Sequence, residues 1–338
     1  MTHVLTLVAA RDATLSPAII ARVRDAVGGG EPVILSPGEA ADIPVAGAPD
    51  SDTVRAALAG APIDAITIPA VGRRKALLLA DMDSTIVTSE TLDELADFAG
   101  LKVTIAAITA RAMNGELDFQ AALRERVGML KGLPIQALEQ TWRRVQLTAG
   151  ARELVATMRA HGAMTALVSG GFTFFSGRVA EAVGFDLHRA NGLLDDGRAL
   201  TGAVAEPILD RTAKLDLLHA LSASRDIPLS ATLAVGDGAN DLPMLRAAGL
   251  GVAFRAKPVV AAEARACVDY ADLRALLFLQ GYRAAEIVGG GDGARQWKAT
   301  ARNLLSAKMR RRLRVVGRVG IMLGQALDQH AVHQRLQV

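Results

Sequence analysis

Residues 75–85 constrain the fold of this chain more than any other stretch: the apolar run Leu77-Leu78-Leu79-Ala80 drives straight into Asp81-Met82-Asp83, followed by Ser84-Thr85. A run this short is neither a helix of its own nor a membrane span, and it reads as a buried parallel strand. In open α/β sheets ligands bind beyond the carboxyl ends of the strands, so Asp81 and Asp83 fall where a binding mouth is expected. The chain is expected to leave the strand at Met82.

The same pattern recurs downstream. An apolar run at 163–168 ends in Ser169-Gly170-Gly171, and Thr232-Leu233-Ala234-Val235 leads into Gly236-Asp237-Gly238-Ala239-Asn240-Asp241. Helical segments near 151–161 and 214–221, a turn-flanked hairpin at 193–204 and a further strand at 249–253 complete a series of βα units. Such a series predicts a Rossmann-like, doubly wound parallel sheet covered on both faces. Between the first strand and the second, residues 90–147 read as several short helices broken at Gly100, Gly115, Gly132 and Pro134. An insertion there predicts a helical cap over the mouth, able to exclude water and select substrate. The α/β part is thus expected over 73–284.

Residues 1–72 carry strand-like runs at 4–8, 32–35 and 65–68 and helical ones at 17–27 and 52–58, punctuated by Gly28-Gly29-Gly30 and a Pro-, Gly- and Asp-rich stretch at 43–52. They predict a small α+β sandwich without a cluster of catalytic residue types. It resembles a shortened ACT domain, an amino-acid-binding regulatory fold, and also suits a packing role or a homodimer contact.

The formal charge of +3 averages unlike regions: residues 285–338 hold ten Lys and Arg against three Asp and Glu, a local +7 that leaves 1–284 at −4. Glycines at 289–293 read as a linker. Beyond it Trp297, Ala301, Leu305, Met309, Val316, Val319 and Leu323 recur at helical spacing among basic residues. This tail is expected to dock or stay partly disordered, and no nucleic-acid partner is expected. The single Cys267 excludes an intramolecular disulfide and fits a reducing compartment. No run approaches the ~20 apolar residues of a transmembrane helix, and the first residues lack a basic leader, so a cytoplasmic protein is expected.

If the three polar-ended strands are parallel, Asp81, Asp83, Asp237 and Asp241 meet at one edge. Two carboxylates about 4 Å apart repel by ~4 kcal/mol at an effective dielectric of 20. A bound cation relieves this, and hard oxygen ligands beside a substrate phosphate favour Mg²⁺.

In order and spacing these motifs resemble those of the haloacid dehalogenase-like phosphatases: Asp81-x-Asp83-x-Thr85, the Ser169 turn, Lys214 in Thr212-Ala213-Lys214, and Gly236-Asp237-Gly238-Ala239-Asn240-Asp241. The likeness covers roughly residues 75–280, and in detail it is similar to the phosphoserine phosphatases. The resemblance implies that Asp81 is a nucleophile forming an aspartyl-phosphate, and that Asp83 protonates the leaving group and then activates water. It implies that Thr85, Ser169, Gly170, Lys214 and Asn240 hold the phosphoryl group, and that Asp81, Asp83, Asp237 and Asp241 surround Mg²⁺. It further implies that Glu90 receives the ammonium and Arg126 the carboxylate of O-phospho-L-serine, under a cover from Met113 and Phe119. The implied product is L-serine, at the last step of its biosynthesis. Another phosphomonoesterase or a phosphotransferase of the same superfamily, and a non-catalytic amino-acid sensor, are the alternatives; a sensor has no need of a nucleophile beside a metal.

Overall fold

In the amino-terminal part, β1 (His3–Ala9), β2 (Val33–Ser36), β3 (Ala40–Val45) and β4 (Ile63–Pro69) form an antiparallel sheet of order β2-β3-β1-β4, with helices Pro17–Ala26 and Ser51–Leu58 between strands. The structure, a computed structural model, describes residues 1–289 except Gly115 and Asp210; for Met113 and Arg211 it describes the backbone alone. The predicted basic tail beyond residue 289 lies outside the described residues. Among the described residues no helix is long and apolar enough to cross a membrane.

This is the expected α+β sandwich with one strand more than the sequence suggested. β3 escapes notice because Asp42 and Pro44 interrupt it. Both are tolerated for identifiable reasons. Asp42, 5% exposed, accepts a hydrogen bond from Thr6 (2.7 Å) and pairs with Arg73. Pro44 lies past the end of β2, where a missing N–H leaves no ladder bond unmade. Leu5, Leu7 and Ala9 of β1 pack under the two helices, while Val8, Ile66 and Ile68 join the core of the rest of the protein, so both faces of the sheet are covered.

The second sheet has six parallel strands in the order β12-β11-β10-β5-β6-β7: β5 (Leu77–Asp81), β6 (Met164–Phe172), β7 (Leu187–Asn191), β10 (Thr232–Gly236), β11 (Leu250–Phe254) and β12 (Ala266–Val268). From β5 the chain builds outward through β6 and β7, then returns to the other side of β5 with β10. The strand order therefore reverses between β5 and β10, and the crevice opened there is where such sheets bind ligands. Asp81 ends one of these two strands and Asp237 follows the other.

Helices Thr91–Asp97, Lys102–Met113, Phe119–Gly128 and Gln136–Trp142 form the inserted cap. Its two connections run side by side, Val87 bridging Leu147, with Thr148 N donating to Ile86 O (2.9 Å) and Thr88 N to Gln146 O (3.0 Å). The hairpin of β8 (Leu193–Asp195) and β9 (Leu200–Val204) also buttresses the cap. Gly132 N donates to Leu200 O and Leu200 N to Leu133 O, both at 2.9 Å.

The two sheets are tied by polar contacts as well as by core packing. Asp64 of β4 accepts from the backbone N–H groups of Asp269, Tyr270 and Ala271, and Arg73 donates to Phe278 O (3.0 Å) and Leu279 O (2.9 Å).

Candidate active site

β5 stops at Asp81 because the chain turns sharply over Met82–Ile86: Asp83 is extended and Ser84 takes φ +54°, a left-handed conformation unfavourable for a residue with a Cβ. This turn leaves Asp81 and Asp83 with different neighbours. Asp81 Oδ1 accepts from Lys214 Nζ at 2.8 Å. Asp83 Oδ1 accepts from Thr91 N at 2.8 Å, and its Oδ2 from Ser169 Oγ at 3.0 Å.

Lys214, on helix Arg211–Ser224, is wholly buried and also donates to Asp241 Oδ1 at 2.6 Å. Burial by itself disfavours the ammonium, but Asp241 and Asp81 outweigh it and hold the lysine above its ordinary pKa. Asp241 is fixed from behind as well, since its Oδ2 accepts from Gly238 N at 3.1 Å. Its position requires Gly236: a Cβ there would stand 2.4 Å from the Asp241 carboxyl carbon.

Oxygens of Asp81, Asp237 and Asp241 lie within 4.8 Å of one another. Burial, then Asp241, pushes the Asp81 carboxyl well above its usual range despite Lys214, and the same two causes raise Asp237 to about 7. Asp237 Oδ2 is buried without a hydrogen-bond partner, as is Asn240 Oδ1. Three hard oxygen donors, one of them without a hydrogen bond and with Lys257 Nζ no nearer than 4.0 Å, fit a small divalent cation. The carboxylate of Asp83 is not part of this cluster and turns instead to Thr91 and Ser169.

A cleft lies between cap and sheet, lined by Asp81, Asp83, Glu90, Thr91, Leu92, Phe119, Leu123, Arg126, Gly170, Gly171, Asp237 and Asn240. Glu90, at the start of the cap, accepts from Ser84 Oγ (2.6 Å) and is pushed up to about 8 by burial first, then by Asp83 and Asp237. Arg126 reaches the cleft from helix Phe119–Gly128 although it is only 3% exposed. The Phe119 ring lies so close to Gly170 that a Cβ there would meet it at 2.6 Å, which joins cap and sheet at this point.

Of the residues singled out in the sequence, Asp81, Asp83, Glu90, Phe119, Arg126, Gly170, Asp237 and Asn240 line one cleft. Lys214, Asp241 and Ser169 stand behind that wall. Thr85 Oγ1 is turned toward Asp237 Oδ1 at 3.4 Å. The Met113 side chain lies outside the described residues. Two residues were missed. Thr91 supplies the backbone donor to Asp83, and Asn191 holds the irregular carboxyl end of β6, where the sequence suggested a turn, with Nδ2 donating to Gly170 O (2.8 Å) and Oδ1 accepting from Leu209 N (2.6 Å). The edge strand carrying Asn191 has no clear sequence signal, so nothing pointed to it.

Residues 78–246 match the family model described as haloacid dehalogenase-like hydrolase, and the chain belongs to that family. Within it the chain is similar to phosphoserine phosphatases. It is 44% identical over 216 residues to that of Streptomyces coelicolor, covering 64% of this chain and 52% of the relative. It is 41% identical over 205 residues to that of Methanocaldococcus jannaschii, covering 61% and 97% respectively. A phosphoserine phosphatase solved as a phospho-aspartyl intermediate analogue superposes with a TM-score of 0.58 at 42% identity, over 61% of this chain and 98% of its own.

Proposed function

We propose that the protein is a Mg²⁺-dependent phosphoserine phosphatase, hydrolysing O-phospho-L-serine to L-serine and phosphate. The observation that carries the reading is the convergence of Asp81, Asp83, Glu90 and Arg126 on one cleft. A nucleophile and a proton donor there face one acid and one base, the complement of a phosphate ester bearing an ammonium and a carboxylate. The likeness to phosphoserine phosphatases at 41–44% identity supports the same substrate.

Asp81 has one oxygen anchored on Lys214, which leaves Oδ2 to attack phosphorus and form an aspartyl-phosphate. Burial raises the Asp83 carboxyl against the hydrogen bonds from Thr91 and Ser169, so it can hold the proton that the leaving serine hydroxyl needs. The same carboxylate, once deprotonated, takes a proton from the water that cleaves the intermediate. Lys214 orients the attacking carboxylate and favours its ionised form against burial and Asp241. Asn240, with its unpartnered oxygen, and the Gly170–Gly171 backbone border the space for the phosphoryl group. Mg²⁺, held by Asp81, Asp237 and Asp241, would neutralise charge among these carboxylates and on the phosphoryl oxygens. Residues 1–72 serve, in this reading, as a packing domain whose edge strand β4 braces the catalytic part through Asp64.

The test is phosphate release from a panel of phosphomonoesters with and without Mg²⁺. Magnesium-dependent release with a clear preference for phosphoserine is expected; no magnesium-dependent release from any ester would remove the enzyme reading altogether.

The carboxyl groups also make stability depend on pH. Glu90 and Asp237 titrate near 8 and 7 in the folded protein, above their ordinary values, so between about pH 4.5 and 8 the folded chain binds more protons than the unfolded one. The free energy of unfolding therefore falls as pH rises through that window. The melting temperature of the metal-free protein is expected to drop from pH 6 to pH 8, and added Mg²⁺ to raise it more at pH 8 than at pH 6. A magnesium shift of equal size at both pH values would contradict the assignment of the acidic cluster to the cation.

A further inference from the structure

Arg126 is held by a chain of hydrogen bonds that crosses three helices of the cap. Its Nη1 donates to Thr109 Oγ1 at 2.9 Å, and Thr109 Oγ1 donates to Asp93 Oδ1 at 2.7 Å. Its Nε donates to Ala122 O at 3.1 Å. Among the described residues Nη2 has no hydrogen bond, and Arg126 lines the cleft. Asp93 lies on helix Thr91–Asp97, Thr109 on Lys102–Met113 and Arg126 on Phe119–Gly128.

We propose that Asp93 and Thr109 are positioning residues that aim Arg126 at the substrate carboxylate and so set the preference for an amino-acid phosphate. The proposal rests on the phosphoserine reading and adds to it two residues that do not line the cleft. The direction of the chain follows from donor chemistry. A guanidinium only donates and an ionised carboxylate only accepts, so the single Thr109 proton is drawn to Asp93 while its lone pairs face Arg126. The alternative acceptor, Ile105 O at 3.0 Å, is farther and uncharged. Burial disfavours the charge of Arg126, and Asp93 is the carboxylate that most offsets this. The guanidinium, already tied to Ala122 O through Nε, is thereby fixed in one orientation before substrate arrives.

The experiment compares O-phospho-L-serine with O-phosphoethanolamine, which keeps the phosphate ester and ammonium but lacks the carboxylate, for the parent chain, Thr109→Val, Thr109→Ser and Asp93→Asn. Thr109→Val preserves volume and removes the hydroxyl. It is expected to raise KM for phosphoserine about ten-fold with kcat within about two-fold, and to lower the preference for phosphoserine over phosphoethanolamine by about ten-fold. Asp93→Asn should shift the preference in the same direction, and Thr109→Ser should restore it. Equal losses on both esters, or a Thr109→Ser variant no better than Thr109→Val, would reduce the pair to structural supports of the cap. A parent that prefers phosphoserine while Thr109→Val keeps that preference overturns the relay alone. A parent with no preference between the esters overturns the substrate reading and the relay together.

Discussion

Asp81→Asn is expected to lower kcat for phosphoserine by about 10⁴-fold or more, because an amide oxygen cannot attack phosphorus and no other carboxylate is placed to do so. Asp83 is held on Thr91 N and Ser169 Oγ and lies outside the cluster of Asp81, Asp237 and Asp241. The variant should nevertheless fold at least as well as the parent. Asparagine keeps the shape and can still accept from Lys214, and the exchange removes a buried charge that Asp241 and Asp237 oppose. Three measurements check this together: steady-state phosphate release, thermal denaturation, and calorimetric binding of phosphoserine to the inactive variant. Release within ten-fold of the parent would show that Asp81 is a ligand or a support and that the nucleophile lies elsewhere. A collapse of the fold would instead mean that the carboxylate is needed as the structural partner of Lys214.

Lys214→Met should have the largest effect on stability of any single change in the site. It leaves Asp81 and Asp241 buried side by side without the cation that bonds to both, at 2.8 and 2.6 Å. Removing one partner from a buried ionic cluster costs about 3–5 kcal/mol, which for a domain of this size is a fall of roughly 10 °C in melting temperature. The deficit should narrow at acid pH, as Asp81, already held above its usual range by burial, takes up a proton. It should also narrow with Mg²⁺, which can replace part of the lost positive charge. Turnover should fall by about 10³-fold, since Asp81 loses the group that orients it and favours its ionised form. An unchanged melting temperature at neutral pH would mean that the bonds from Lys214 to Asp81 and Asp241 do not stabilise the fold.

Much of the fold could be read along the chain. β5, β6, β10 and β11 are short apolar runs with polar ends, and burial on both faces of a parallel sheet makes such runs nearly uniform in composition. β3 and β7 could not be read in this way. Asp42 and Pro44 look like a loop until Arg73, Thr6 and the short β2 are in place around them, and β7 is an edge strand with the mixed sequence Leu-His-Arg-Ala-Asn.

The candidate site divides along the same line. Local order along the chain was enough to bring Asp81, Asp83, Ser169 and Asp237 to one sheet edge, because parallel strands align their carboxyl ends whatever the length of chain between them. Glu90 and Arg126 became meaningful only through their offsets within a familiar pattern, since a lone acid at a helix start or a lone arginine on a helix is chemically unremarkable. Only the folded structure assigned partners to individual atoms. It put Lys214, 133 residues from Asp81, behind the Asp81 carboxylate and outside the lining of the cleft, and turned Ser169 toward Asp83. It also grouped Asp241 with Asp81 and Asp237 while leaving the Asp83 carboxylate out, and ran the Asp93–Thr109–Arg126 chain across three helices. The physical reason is range. Hydrophobic periodicity and turn chemistry act over a few residues and are written in order. Hydrogen bonds and buried charges depend on distances of about 3 Å between side chains, which only the packing of distant elements establishes.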